Sequence, residues 1–278
     1  MKYNWGISES ERNMDQYLGF MNTGISRFWS DPKLKMIELT NPDIIPNDFQ
    51  IRENTLLGKR AEVFFLKAIS EQKHYEVLAS QIQLIENGIT LGELDYILKD
   101  TVSNQCYHVE LSYKLYLFDS NASSGLKQWV GPNRRDSLHK KWSKLQNSQF
   151  PNIYTQAGIE IIKELKLQPE EIIQAVYMPL QLFLPYGKKV VVDAQFLPCV
   201  VGKWISFSAF QLKNWSGYEF FIPEKQDWFV NPEKCMEWFG RDEIITSLQS
   251  HIQGGSSRMV WIKLPNNMRQ KIFVTFWE

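Results

Sequence analysis

The sequence predicts a mixed α/β (α+β) fold with a central mixed sheet flanked by helices, and three observations carry that prediction. Leu57 to Ser70 places its apolar residues at helical spacing. Three strand-like apolar segments follow, Tyr75 to Glu86, Gly92 to Leu98 and Tyr107 to Leu117. A second helical stretch, Thr155 to Leu167, then leads into a continuous apolar run, Ala175 to Pro185.

Taken in order, the first fifty residues hold Phe20, Ile25, Phe28, Trp29, Leu34, Ile37 and Leu39 before Pro42 and the IIP of 44–46. They read as a helix and a shorter irregular segment covering part of the core. In Leu57 to Ser70 the apolar stripe is Leu57, Ala61, Phe64, Phe65 and Ala68, and Glu62 sits one residue from it. Tyr75 to Glu86 reads as the first strand, and Gly88 turns the chain back. In GELDYIL, alternation puts Glu93, Asp95 and Ile97 on one face and Leu94, Tyr96 and Leu98 on the other. Lys99 to Gln105 has the Asp, Ser and Asn content of a hairpin connection. In Tyr107 to Leu117 the polar residues His108, Glu110, Ser112 and Lys114 share one parity.

A hairpin of the last two strands brings Asp95 and Glu110 together. Two acids that close, on strands built for burial, need a proton, a basic group or a cation between them. Hard oxygen ligands suit Mg2+ (or Mn2+), which keeps several waters and takes one or two protein carboxylates. Such an ion beside a phosphodiester can polarise a phosphate oxygen and activate water.

Loop signals at Ser120 to Gly125 and at the GPN of 131–133 precede RRDSLHKKWSKLQ, which gathers Arg134, Arg135, His139, Lys140, Lys141 and Lys144 around a single acid, Asp136. The whole chain has a formal net charge of +0. The local excess therefore marks a place where phosphates can be engaged, or else a solvated helix face.

GKRAEVFF, GELDYIL, HVELSYKLYL and GPNRRDSLHKK, in that order, are similar to the pattern of a bacterial family, the domain-of-unknown-function family 1853 (DUF1853). GELDYILKD followed by HVELSYK also resembles the core of the PD-(D/E)XK nuclease superfamily, in which DUF1853 is placed. The resemblance implies a restriction-endonuclease-like core of αβββαβ order, with Ala175 to Pro185 as its last strand and additions at both ends. It further implies metal-dependent cleavage of DNA, with Asp95 and Glu110 as ligands, Glu62 assisting from the first helix, and a strand lysine. In that pattern the lysine stands two residues after the glutamate, where this chain has Ser112. Lys114 lies roughly 13 Å along a regular strand from Glu110, about twice the reach of a lysine side chain. Lys114 is thus expected to reach the scissile phosphate, and His108, about 6.6 Å from Glu110 on the same face, or Lys59 on the first helix, stands as an alternative base.

Two hypotheses follow: a Mg2+-dependent endonuclease or exonuclease, or a catalytically lapsed core that binds nucleic acid or a protein partner through its basic segment. The organisation read from the chain is an N-terminal cover over 1–50, a nuclease-like core over 51–186 and a mixed α/β region over 187–278. In that last region, strands are expected at Lys203 to Leu212 and Tyr218 to Pro223, helices from Asn231 and over Asp242 to Ile252, and a closing hairpin of Arg258 to Leu264 with Lys271 to Trp277. Six tryptophans, Trp204, Trp215, Trp228, Trp238, Trp261 and Trp277, lie beyond residue 200 and suit either core packing or base stacking. Three widely spaced cysteines, the lack of an apolar signal core in MKYNWGISESERN and the lack of any long apolar run predict a cytoplasmic protein outside the membrane. Oligomeric state is left open by the sequence.

Overall fold

A computed structural model describes residues 7–278. The first six residues of the segment read above for a signal core lie outside it. The chain runs α1 (Glu9–Met21), β1 (Lys35–Met36), α2 (Leu57–Ser70), β2 (Tyr75–Glu86), β3 (Ile89–Asp100), β4 (Cys106–Leu111), β5 (Lys114–Phe118) and β6 (Trp129–Val130). It continues through α3 (Leu138–Lys144), α4 (Gln156–Glu164), β7 (Ile173–Tyr177), β8 (Leu180–Pro185), β9 (Val200–Ser206), α5 (Phe207–Leu212), β10 (Glu219–Phe221), α6 (Arg241–Gln253), β11 (Arg258–Lys263) and β12 (Arg269–Thr275). The result is a mixed α/β structure of two mixed sheets flanked by helices. One is five-stranded, in the order β1-β7-β4-β3-β2; the other is seven-stranded, in the order β10-β11-β12-β9-β8-β5-β6.

In the first sheet β2, β3 and β4 form an antiparallel meander, and β7 adds parallel to β4 with His108 opposite Gln174. Helix α2 covers one face because its stripe, Leu57, Ala61, Phe64, Phe65 and Ala68, is buried with Tyr96, Leu98, Val109 and Leu111 in the largest core cluster. On the opposite face α4 and the turn before it bury Leu94, Ile97 and Cys106 with Ile153 and Ile162. Thr155 is not part of α4 but caps it, accepting from Gly158 N.

The expected single strand Tyr107 to Leu117 is two strands in two sheets. β4 and β5 are separated at Ser112 and Tyr113, and their parallel partners β7 and β8 are separated at Met178 and Pro179. Hydrogen bonds from Ser112 N to Tyr177 O (3.0 Å) and from Lys114 N to Pro179 O (3.1 Å) carry the pairing across this seam. The parallel ladder's next rung would run from residue 179 N–H to Ser112 C=O, and proline has no N–H to give. Tyr113 instead turns into the core against Phe20 and Phe229. The single last strand expected over Ala175 to Pro185 is therefore also two, β7 in the five-stranded sheet and β8 in the seven-stranded one, divided at Pro179.

The seven-stranded sheet takes strands from both sides of residue 186. Two expectations beyond 200 are corrected. Residues 207–212, read as strand, form the short helix α5, because Ser206 caps it by accepting from Ala209 N. The helix expected from Asn231 is a single 3₁₀ turn, Pro232–Lys234, with Asn231 accepting from Glu233 N. Of the late tryptophans, Trp215, Trp228, Trp261 and Trp277 are buried and Trp204 and Trp238 are half-buried, so they serve as core. Cys106, Cys199 and Cys235 are buried free thiols. No helix among the described residues is long and apolar enough to cross a membrane.

A 3₁₀ turn at Lys225–Phe229 knits the ends of the chain together. Asp227 accepts from Arg12 and from Gln16 (2.8 Å), while Arg60 of α2 donates to Gln16 Oε1 (2.8 Å) and Gln226 Oε1. From β12, the buried Lys271 ammonium donates to Gln181 Oε1 (3.1 Å), Trp228 O (2.8 Å) and Phe229 O (3.2 Å). Burial lowers the pKa of that amine to about 7, since no acid among the described residues offsets the loss of water.

Candidate functional site

The antiparallel pairing of β3 and β4 does bring the two acids together. Tyr96 is paired with Val109, so Asp95 and Glu110 occupy adjoining positions on neighbouring strands, close enough for each carboxyl to act on the other's proton. Asp95 Oδ2 also accepts from Leu111 N at 2.8 Å. Glu110 is fully buried, and its Oε2 accepts from Gln149 Nε2.

Burial, and for Asp95 the neighbouring Glu110, set the charge state. Asp95 has its pKa pushed up to about 7, first by desolvation and then by Glu110. Glu110 is raised likewise, chiefly by desolvation, with Lys141 opposing. A metal-free pair therefore keeps protons that ordinary carboxyls have lost at neutral pH.

His108 sharpens the point. It is fully buried, with a pKa pushed down to about 4 by desolvation, so its ring is neutral. Its Nδ1 is 2.8 Å from Gln174 Oε1 and donates to it, because the Gln174 amide N–H is directed at Phe150 O (3.4 Å). That leaves a lone pair on Nε2 facing Glu110 Oε1 at 3.2 Å, and neither atom has a hydrogen bond among the described residues. Two buried lone pairs at that distance call for a proton on Glu110 or a cation close by. The donor set, two carboxylates with an unsatisfied oxygen, fits a hard divalent ion that keeps its own waters.

A carboxyl whose pKa is higher in the folded than in the unfolded state stabilises the fold fully below its unfolded value near 4, and that stabilisation is lost as pH rises through the folded value. Glu110→Gln mimics the protonated acid and adds an N–H for His108. Its melting temperature, measured without metal, should match wild type at pH 5 and exceed it by about 5 °C at pH 8. Taking the difference between the two proteins cancels the opposite pH trend of Lys271.

The other sequence-nominated residues divide. Glu62 accepts from Lys59 Nζ (2.7 Å) and Gln81 Nε2 (2.6 Å), and no cluster of three acid, His or Cys side chains able to hold a metal forms among the described residues. Lys59 is exposed on the same rim, its pKa raised first by Glu62 and then, more weakly, by Glu93 and Asp95. Lys114 begins β5 in the second sheet and pairs with Asp136 at 2.9 Å. Arg134 precedes α3, forms an ion pair with Asp119 and lies over Trp277 (4.3 Å), so it is occupied. Arg135, His139, Lys140 and Lys144 are exposed. The expected basic helix begins only at Leu138, because Ser137 caps it by accepting from Lys140 N, which leaves Arg134 and Arg135 outside it.

Lys141 is the exception on that helix. It is half-buried and turned toward the acids: its Nζ donates to Gln149 Oε1 at 2.8 Å, and Gln149 donates on to Glu110. Desolvation lowers its pKa, while Glu110 and Asp95 oppose. The ammonium that acts most on the acid pair thus comes from α3. Sequence reasoning passed over Gln149 and Gln174, which carry no charge and no motif. The one available signal was Gln149's place eight residues beyond Lys141 on a continuous helical stretch, Leu138 through the π turn Leu145–Gln149.

A family model described as "Domain of unknown function (DUF1853)" matches residues 31–273. No curated protein and no solved structure matches the chain.

Proposed function

The chain belongs to DUF1853, a family of unknown function, and from the chemistry of its acid pair we propose that it is a divalent-metal-dependent nuclease that hydrolyses phosphodiester bonds in DNA. The carrying observation is the buried contact of Asp95 with Glu110, left with an unsatisfied carboxylate oxygen facing an unsatisfied imidazole nitrogen. The order of α2, three antiparallel strands, the α3 and α4 helices and a parallel β7 supports a restriction-endonuclease-like core.

Asp95 and Glu110 would hold the ion, Mg2+ or Mn2+, which when bound supplies polarisation of a phosphate oxygen and a lower pKa for water. Lys141, drawn toward the acids through Gln149, offers a cation to the developing charge on phosphate and takes the place expected of Lys114. His108 cannot serve as a base open to solvent, being sealed in; its neutral ring fixes the side chain of Glu110 instead. Arg135, Lys140 and Lys144 meet the flanking phosphates. The second reading, a lapsed core used for binding, draws on the engagement of Glu62 away from the acids.

Incubation of the protein with single-stranded and duplex DNA and RNA, in Mg2+, Mn2+ or chelator, tests the proposal. Cleavage of DNA that requires metal supports it, and intact substrate in every form would favour the lapsed core. Within that assay Lys141→Ala should lose about a hundredfold in rate, whereas Lys114→Ala should stay within about threefold of wild type. Equal losses in both would return the role to Lys114.

A further inference from the structure

A cleft of about 710 Å³ opens on the far side of the segment that bears Gln149, walled by Trp142, Phe150, Tyr154 and Gln146 with Lys33 and Lys35 at its mouth. It is bound to the acid site through a shared wall. Gln149 reaches Glu110, while its neighbour Phe150 lines the cleft and sets its ring edge-on to His108 at 6.4 Å. Gln174, also on the cleft wall, holds His108 from that side.

The walls are those of a stacking site. Trp142 is buried, stacked on Trp29 at 5.3 Å and 19° and packed against Phe28, so it is a fixed apolar backing and the face open to a base is that of Tyr154. Tyr154 is 51% exposed, a large aromatic side chain presented in part to solvent. Lys33 and Lys35 are exposed and make no ion pair among the described residues; the nearby Asp31 carboxylate is turned to Lys33 N at 2.9 Å. An exposed aromatic face with lysines beside it suits a base and its phosphates, and a base reaches such a cleft only when it is out of the duplex stack.

We propose that this cleft binds an unstacked base of single-stranded DNA beside the phosphodiester presented to the acid pair, an inference that rests on the nuclease reading and gives it a substrate class. The strand passes over the Gln149–Phe150 wall, its phosphates near Lys33 and Lys35 on one side and Lys141 on the other. Duplex DNA would engage only where it is frayed or flapped.

The test uses the full chain carrying Asp95→Ala, a fluorescein-labelled thymidine hexamer and a hexamer of the same backbone without bases, read by fluorescence anisotropy in Mg2+. The thymidine hexamer is expected to bind about tenfold more tightly than the base-free one, and Tyr154→Ala should erase that difference while leaving base-free binding unchanged. Lys33→Glu with Lys35→Glu should weaken both probes about tenfold. Equal affinity for the two hexamers, or a difference that survives Tyr154→Ala, overturns the proposal. Cleavage by the protein with Asp95 intact is scored apart: cleavage without base preference sinks the cleft and keeps the nuclease, and base preference without cleavage in any form does the reverse.

Discussion

Asp95→Ala is expected to lower metal-dependent cleavage about a thousandfold while nucleic-acid binding stays within about threefold of wild type. The asymmetry follows from where the side chain sits. Asp95 is turned to Glu110 and to Leu111 N–H inside the sheet, so its loss removes half of the carboxylate set while the exposed basic residues of the α3 region, which meet phosphate, are untouched. The same substitution should weaken the rise in melting temperature that Mg2+ gives wild type, since a ligand that binds only the folded state stabilises it in proportion to its affinity. Thermal unfolding with and without Mg2+ therefore reports on the site independently of turnover. Unchanged cleavage in Asp95→Ala would remove the acid pair from the mechanism altogether.

Lys271→Met should destabilise the fold by about 3 kcal/mol, seen as a melting temperature lower by roughly 6 to 12 °C, and Lys271→Ala by more. The ammonium serves Gln181 Oε1 and the carbonyls of Trp228 and Phe229 at once. Trp228 O keeps a second donor, Gln181 Nε2 at 2.9 Å, so the methionine variant strands Phe229 O and Gln181 Oε1. Leaving a buried acceptor unpaired costs about 1 to 3 kcal/mol each, which outweighs the relief of no longer burying a charge that already has three partners. The Lys225–Phe229 turn also anchors Arg12 and Gln16 of α1, so the first helix should gain proteolytic sensitivity in the variant. A melting temperature equal to wild type would mean that the turn is held by its Arg12 and Arg60 contacts alone.

What the sequence made legible was local. The stripe of Leu57, Ala61, Phe64, Phe65 and Ala68 marks α2 at its observed ends, Tyr75 and Glu86 bound β2, and the hairpin residues of Lys99 to Gln105 place Asp95 against Glu110. What it hid depended on distant partners. The break at Ser112 is caused by Pro179, far along the chain, and only a known strand pairing could have exposed it. Residues 207–212, FSAFQL, form an apolar run too short for period alone to separate helix from strand, and the cap at Ser206 decided it. Lys141 looked like one of several cations on a solvated face; the neutral Gln149, which turns it inward, gives no charge signal. The displaced lysine of the expected pattern was visible, but its substitute was not.

The seam at Ser112 and Pro179 bears on how the chain assembles. One pair of parallel segments, 106–118 with 173–185, carries both sheets, and its partners are far apart in sequence, with His108 and Gln174 separated by 66 residues. Parallel pairing across such a distance closes a long loop before any contact repays it, which makes it a slow step. Once it forms, the five-stranded sheet gains its β4–β7 pair and the seven-stranded sheet its β5–β8 pair together, so covering of the acid pair's strand edge and the start of the second sheet coincide. During synthesis β3 and β4 emerge well before β7, and for that interval His108 and Glu110 lie on an open strand edge whose protection arrives only with the second half of the chain.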